Sequence, residues 1–152
     1  MDRHEEYMAE AVRIARANVA EGGTPYGAVI VRDGTVVATA PNTVHLSKDA
    51  TDHAEMVAIH KASQALGRKN LSDCVMYASG RPCPMCHAAM RLAGFKEGYF
   101  AFSAEEAQEC GAGSADIYAE LCRPLDQQPM RLKQMRPEGA SPYPEWEARQ
   151  KG

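Results

Sequence analysis

Apolar residues recur at helical spacing from the start of the chain. Met8, Val12, Ala15 and Val19 predict an amphipathic helix over 2–20, with Asp2 as its cap. Glu21-Gly-Gly-Thr-Pro25 breaks it. The pattern then changes to short β-rich runs. Ala28–Arg32 and Thr35–Thr39 flank Asp33-Gly34, and two such runs around Asp-Gly predict a hairpin. Polar residues 41–51 predict a loop, and Asp52–Leu66 predicts a helix ended by Gly67. Asp73–Ser79 suits a buried strand. Pro84–Ala93 reads as a short helix, with proline in the first turn and Gly94 past the end. Gly98–Phe102 predicts a strand and Ala104–Glu109 a helix, followed by a small-residue loop over 111–115. Ile117–Leu121 fits helix or strand equally. Met130–Met135 predicts a last strand and Tyr143–Lys151 a last helix. A hairpin followed by alternating helices and strands predicts one three-layer α/β/α domain over 1–152, with a mixed sheet.

Composition narrows the class of protein. With 152 residues, 45% hydrophobic and 24% charged, the chain matches a globular domain, not a disordered, collagenous or coiled-coil one. No apolar run approaches the ~18–20 residues of a membrane span. The N-terminus, MDRHEEYMAE, lacks the apolar stretch of a signal peptide. A soluble, cytoplasmic protein is expected, without a membrane partner. The net charge of -3 gives no general attraction to nucleic acid. Arg131, Lys133 and Arg136 are spaced along the predicted last strand, diluted by acids nearby, and read as a solvated face. Five cysteines, without an export signal, do not read as a disulfide framework.

Two short segments carry the chemistry. His53-Ala-Glu55 opens a predicted helix, and Pro82-Cys-Pro-Met-Cys86 opens the next, beyond one strand. Together they give H-x-E…P-C-x-x-C, the pattern of zinc nucleobase deaminases. Zn²⁺ takes nitrogen and sulfur ligands in a tetrahedron; His53, Cys83 and Cys86 supply three and leave a fourth position for water, as catalysis requires. The metal brings the water pKa towards about 7. Cys83 and Cys86, three apart, share one side of a helical turn. The helix N-terminus favours their thiolates. A fourth ligand from Glu55 would close the site. Its carboxylate instead suits proton transfer, from the water to a ring nitrogen and then to the leaving amine.

Other readings accompany these residues. A C-x-x-C pair alone serves redox chemistry as well as metals. A structural zinc site needs a fourth ligand, for which His87, Cys74 and Cys110 are the nearby candidates. His60 reads as surface or core, His4 as solvated, and His45 as a loop residue within reach of substrate. Cys74 reads as a core thiol, and Cys110 and Cys122 as spectators. Tyr26 either stacks on a planar ring or packs under the hairpin.

The motifs resemble the cytidine deaminase superfamily, and within it the short bacterial guanine deaminases of the cytidine-deaminase-like type. Pro25-Tyr-Gly-Ala-Val-Ile30 is similar to P-F-G-A-V-I. Ile117-Tyr118 with Glu120 resembles I-Y-x-E, and Ser141-Pro-Tyr143 with Trp146 resembles S-P-F-x-x-W. The resemblance implies a cytidine deaminase-like fold with a five-stranded mixed sheet and Zn²⁺ as cofactor. Asn42 would hydrogen-bond the base, with Tyr26 and Ala54 as further substrate contacts. It also implies a homodimer in which residues 143–152 swap onto the partner; the alternative is an ordinary helix packed in cis. The reaction implied is hydrolysis of guanine to xanthine and ammonia.

Departures from that pattern qualify the substrate. The family's F-D-D, whose second aspartate binds guanine, is replaced by Ala112-Gly113-Ser114, leaving Ser114 or Asp116 to take the role. A hydroxyl hydrogen-bonds but carries no such charge. Arg81 replaces a glutamate, Leu92 an aromatic, and the family's terminal tyrosine has no counterpart. Another small amino-heterocycle, such as cytosine, another aminopurine or an aminotriazine, is therefore an alternative substrate. Gly111-Ala-Gly-Ser114 resembles a segment of tRNA adenosine deaminases, a second alternative. The third is a catalytically idle zinc-binding module.

Overall fold

The computed structural model describes residues 3–152, so the expected Asp2 cap lies outside the described residues. Helix α1 runs Arg3–Ala20. It buries Ala11, Ile14, Ala15 and Asn18, a stripe at i, i+3, i+4 and i+7. The buried face is thus rotated from the expected one, and Val19 stands 51% exposed. The reason is close approach. A Cβ on Gly27 would lie 2.4 Å from Ala11 O, so small side chains on this stripe let helix and strand meet.

Strands β1 (Gly27–Arg32) and β2 (Thr35–Pro41) form the hairpin, with a bulge between Ile30 and Val31. Its turn residues Asp33 and Gly34 both have positive φ, as a two-residue hairpin loop demands. Strand β3 (Cys74–Gly80) pairs antiparallel with β1, and β4 (Gly98–Phe102) pairs parallel with β3. The order is β2-β1-β3-β4. Helix α1 covers one face, where Ala11 and Ile14 meet Val29, Val31 and Tyr77. Helix α3 (Ala54–Leu66) covers the other, where Ala54, Ala58 and Ala62 meet Ala28, Ile30 and Met76. The α/β/α layering and mixed sheet are as expected.

The strand count is not. Four strands are present among the described residues, not five. Met130–Met135 takes no strand conformation, because nothing pairs with its backbone, and Met135 is 91% exposed. The 41–51 loop contains a short helix, α2 (Val44–Ser47). Ile117–Leu121 is helical, within α6 (Ala115–Leu121). Helices α4 (Pro84–Ala93), α5 (Ala104–Glu109) and α7 (Tyr143–Lys151) fall where expected. Gly94 ends α4 at φ +89, a conformation that a side chain would strain. Among the described residues no helix is long and apolar enough to cross a membrane.

Candidate active site

Two helix N-termini meet beyond the end of β3, a central strand of the sheet. His53 is the N-cap of α3, with extended backbone and no side-chain cap bond, so its ring is free to turn towards α4. Its N–H donates to Thr51 O, and the turn before it is closed by Thr51 donating to Asp49 Oδ1 from both N (2.8 Å) and Oγ1 (2.7 Å). Cys83 is the N-cap of α4, Pro84 follows in the first turn, and Cys86 N–H points at Cys83 Sγ, 3.5 Å away. His53 Nδ1 lies 3.4 Å from Cys83 Sγ. The ligand atoms of His53, Cys83 and Cys86 all fall within 4.8 Å of one another.

This donor set fits zinc. Bonds of about 2.3 Å to sulfur and about 2.0–2.1 Å to nitrogen, at tetrahedral angles, put ligand pairs about 3.5–3.8 Å apart. The His53–Cys83 separation is close to that, and Cys86 is fully buried on the third side. As a free pair the two thiols differ in proton affinity. Cys83 is pulled down to about 4 by the hydrogen bond from Cys86 and by His53. Cys86 is pushed up, by that same bond and by burial. The bond to Cys83 raises His53.

Glu55 sits in the first turn of α3 and is only 5% exposed. Burial drives its pKa up, against hydrogen bonds from its own backbone N–H and from Cys86 that lower it. A carboxyl group that holds a proton more readily than usual, beside a cluster of sulfur and imidazole ligands, is chemically suited to take up and release protons.

The structure places the remaining predicted residues as follows. Asn42 is 4% exposed. Its Oδ1 accepts from Val44 N–H and its carbonyl from Asn18 Nδ2. Ala54 has its methyl in the core, so only its backbone could face a ligand. The Tyr26 ring lies against Gly80, where a Cβ would be 3.0 Å away, and its hydroxyl donates to Ala112 O. Ser114 is half-buried at the N-cap of α6 but makes no cap bond; Asp116, in the first turn, is exposed. His45 packs on Gly23, with Nδ1 buried and without a hydrogen-bond partner.

The spectators largely behave as such. Cys74 is buried in β3, Cys110 and Cys122 are exposed, and His60 and His87 are on the surface. His4 is exposed, as expected, and in addition its Nδ1 lies 2.6 Å from the Tyr77 hydroxyl and its ring packs on Tyr99. Two residues, Asn18 and Gly80, went unsuspected in the sequence, and Tyr118, singled out there only within its I-Y-x-E segment, has contacts that the motif did not foretell. Asn18 ties Thr24 and Asn42 together through Nδ2; a polar residue on the small-residue stripe of α1 was its signal. Gly80 makes room for Tyr26. Tyr118 donates to Pro82 O and lies under the Arg81 guanidinium, 4.5 Å from ring centroid to Cζ.

The chain belongs to the cytidine and deoxycytidylate deaminase zinc-binding family, whose zinc-binding region matches residues 1–102. It is 39% identical over 145 residues to the guanine deaminase of Bacillus subtilis (strain 168), covering 94% of this chain and 93% of that one. It is 40% identical over 88 residues to the tRNA-specific adenosine deaminase of Aquifex aeolicus (strain VF5), covering 58% of each. The X-ray structure of the B. subtilis guanine deaminase matches with a TM-score of 0.88 at 36% identity, over 100% of this chain and 96% of that one.

Proposed function

We propose that this chain is a zinc-dependent aminohydrolase that converts guanine to xanthine and ammonia. The observation that carries the reading is the gathering of His53, Cys83 and Cys86 beside buried Glu55, in a chain similar to a guanine deaminase along nearly its whole length.

His53 Nδ1 and the two sulfurs would hold the ion. A zinc ion so bound supplies an activated water and positive charge for the attack on the amino-bearing carbon. Glu55 takes a proton from the attacking water at its carboxyl and delivers it to the ring nitrogen next to that carbon; it then takes the proton of the newly added hydroxyl, which becomes the ring carbonyl, and passes it to the departing amine, which leaves as ammonia. Its raised proton affinity suits both directions of transfer. Asn42 offers its NH₂ to the base, since its Oδ1 is engaged by Val44. Ala54 would contribute only its N–H, which as the first of the helix has no partner within it. Ser114 has an uncommitted hydroxyl; exposed Asp116 is the poorer substitute for the family aspartate.

Ser114 also favours a second reading, in which the substrate is another amino-heterocycle. Two solved structures similar to this chain, at 27% and 26% identity, hold 2,6-diaminopurine and 8-azaguanine. The test is ammonia release by zinc-loaded protein from guanine, guanosine, cytosine, adenine, isoguanine, 2,6-diaminopurine, aminotriazines and a tRNA anticodon stem-loop. Turnover of guanine supports the first reading; turnover of another small base with guanine inert supports the second. Turnover of the stem-loop alone contradicts both.

We further propose a homodimer completed by the C-terminal segment. Met130, Leu132, Met135, Tyr143 and Trp146 are exposed within their own chain, as are Phe100 and Phe102 on the free edge of β4. Such a surface is ordinarily covered. Light scattering of the full chain, and of a chain ending at Gln127, tests this: the first should be dimeric and the second monomeric. Five free cysteines and a thiolate site suit a reducing, cytoplasmic setting.

A further inference from the structure

Residues 112–118 form a strap fastened at two points beside the metal ligands. At one end the Tyr26 hydroxyl donates to Ala112 O. At the other the Tyr118 hydroxyl donates to Pro82 O, the carbonyl next to Cys83. The Tyr26 ring is itself wedged against Gly80, and the Tyr118 ring is covered by Arg81. Beneath the strap, Ala112 N–H donates to Ala107 O at 2.9 Å, and Gly113 packs against Gln108 so tightly that a Cβ would lie 3.0 Å from it. Ser114 stands between the two fastenings. A serine at a helix N-cap ordinarily caps with its hydroxyl. Here it does not, so the hydroxyl is left for another partner. Burial, together with the negative charge of Glu55 and Cys83, pushes Tyr26 above its ordinary value. Burial does the same for Tyr118, against the Arg81 guanidinium beside it and with the negative charge of Cys83. Both rings therefore lie within reach of the site's charges, and both hydroxyls remain donors.

We propose that the Tyr26 and Tyr118 hydroxyls are positioning residues that hold Ser114 against the substrate ring, and that this hold decides which amino-heterocycle is accepted. The inference rests on the deaminase reading above. Its chemistry is that of a neutral hydroxyl. Serine can donate to a ring carbonyl or accept from a ring N–H, whereas a carboxylate only accepts. Selectivity from such a group depends on its standing at the right place, because a displaced hydroxyl leaves right and wrong substrates equally unpaired.

The test uses zinc-loaded full-length protein: wild type, Tyr26→Phe, Tyr118→Phe, Ser114→Ala and the Tyr26→Phe/Ser114→Ala double variant. Phenylalanine keeps each ring and removes only the hydroxyl. Amide hydrogen exchange over 112–118 should speed up about three- to tenfold in each tyrosine variant, the share of one hydrogen bond, with zinc content unchanged. For Tyr26→Phe, KM should rise about tenfold while kcat stays within about threefold, since Glu55 and the ligands are untouched. The guanine to 2,6-diaminopurine ratio of kcat/KM should shift in Tyr26→Phe and in Ser114→Ala, and no further in the double variant. Unchanged exchange in both tyrosine variants overturns the fastening. Shifts in the double variant that multiply overturn the route through Ser114. A zinc-loaded wild type that turns over nothing in the panel defeats the proposed function, and the exchange data then still decide whether the tyrosines hold the strap.

Discussion

The stretch up to Ala93 and the stretch after it are built on different terms. Every buried residue among those described lies at or before Ala93: the inner positions of β1, β2 and β3, the small-residue stripes of α1 and α3, Leu71, Ala93 itself, and Asn42, Glu55 and Cys86 at the site. The candidate ligands and Glu55 stand on helix starts anchored in that core. No residue of 103–152 is fully buried in its own chain, and yet this stretch carries half-buried Ser114 and Tyr118 and the exposed apolar residues of the tail. The reacting groups are thus held by packing. The groups assigned here to substrate choice and assembly are held by a few hydrogen bonds. Such a division lets the second set change without disturbing the first.

The largest effect should come from within the body. Glu55→Gln removes the proton carrier and should cut turnover by about 10²–10⁴-fold or more while zinc stays bound, as ammonia release and metal analysis would show. Equal zinc with undiminished turnover would remove Glu55 from its role.

Packing supplies the next contrast. Ile30→Ala, in the core, should destabilise by about 2–5 kcal/mol, whereas Leu132→Ala in the exposed tail should cost under about 0.5 kcal/mol in the monomer. Melting curves compare the two, and equal losses would erase the distinction between the regions. A chain ending at Gln127 should keep its zinc and most of its melting temperature but lose activity, if the tail completes a partner's site. Loss of folding on truncation would mean that the tail belongs to the core after all.

The smallest effect is a pH dependence. The bond to Cys83 raises His53, so in the metal-free protein that pair adds stability at pH values below the ordinary histidine range and loses it as pH rises through the raised value. Metal affinity runs the other way, because the imidazole must shed its proton to ligate. Zinc retained on dialysis should therefore fall as pH is lowered through the raised His53 range, before Cys83, at about 4, takes up its proton. Retention that is flat across that range would contradict the assignment of His53.

Legibility in the sequence follows the same divide. The metal-ligand spacing could be read because each ligand is tied to a helix start, and Pro84 and Gly94 mark one such helix by backbone chemistry alone. The hairpin was legible because Asp33-Gly34 demands positive φ. The face of α1 was not, because alanines at 11 and 15 score as weakly apolar while their value lies in letting Gly27 approach. The fold of 115–121 was undecided because seven residues hold too little periodicity. The expected strand at Met130–Met135 has the right residues and lacks a partner, which no local pattern can supply. Tyr26 and Tyr118 stood out in their motifs, but their fastenings to Ala112 and Pro82 join residues far apart in sequence, a pairing that no local pattern shows.

The most direct test of the account is ammonia release from guanine and the other heterocycles, measured as zinc is titrated into metal-free wild type and Glu55→Gln. The account predicts turnover that rises in proportion to bound zinc in the wild type and stays near zero in Glu55→Gln at equal zinc. Ammonia released at full rate by the metal-free protein, or by zinc-loaded Glu55→Gln, would contradict it.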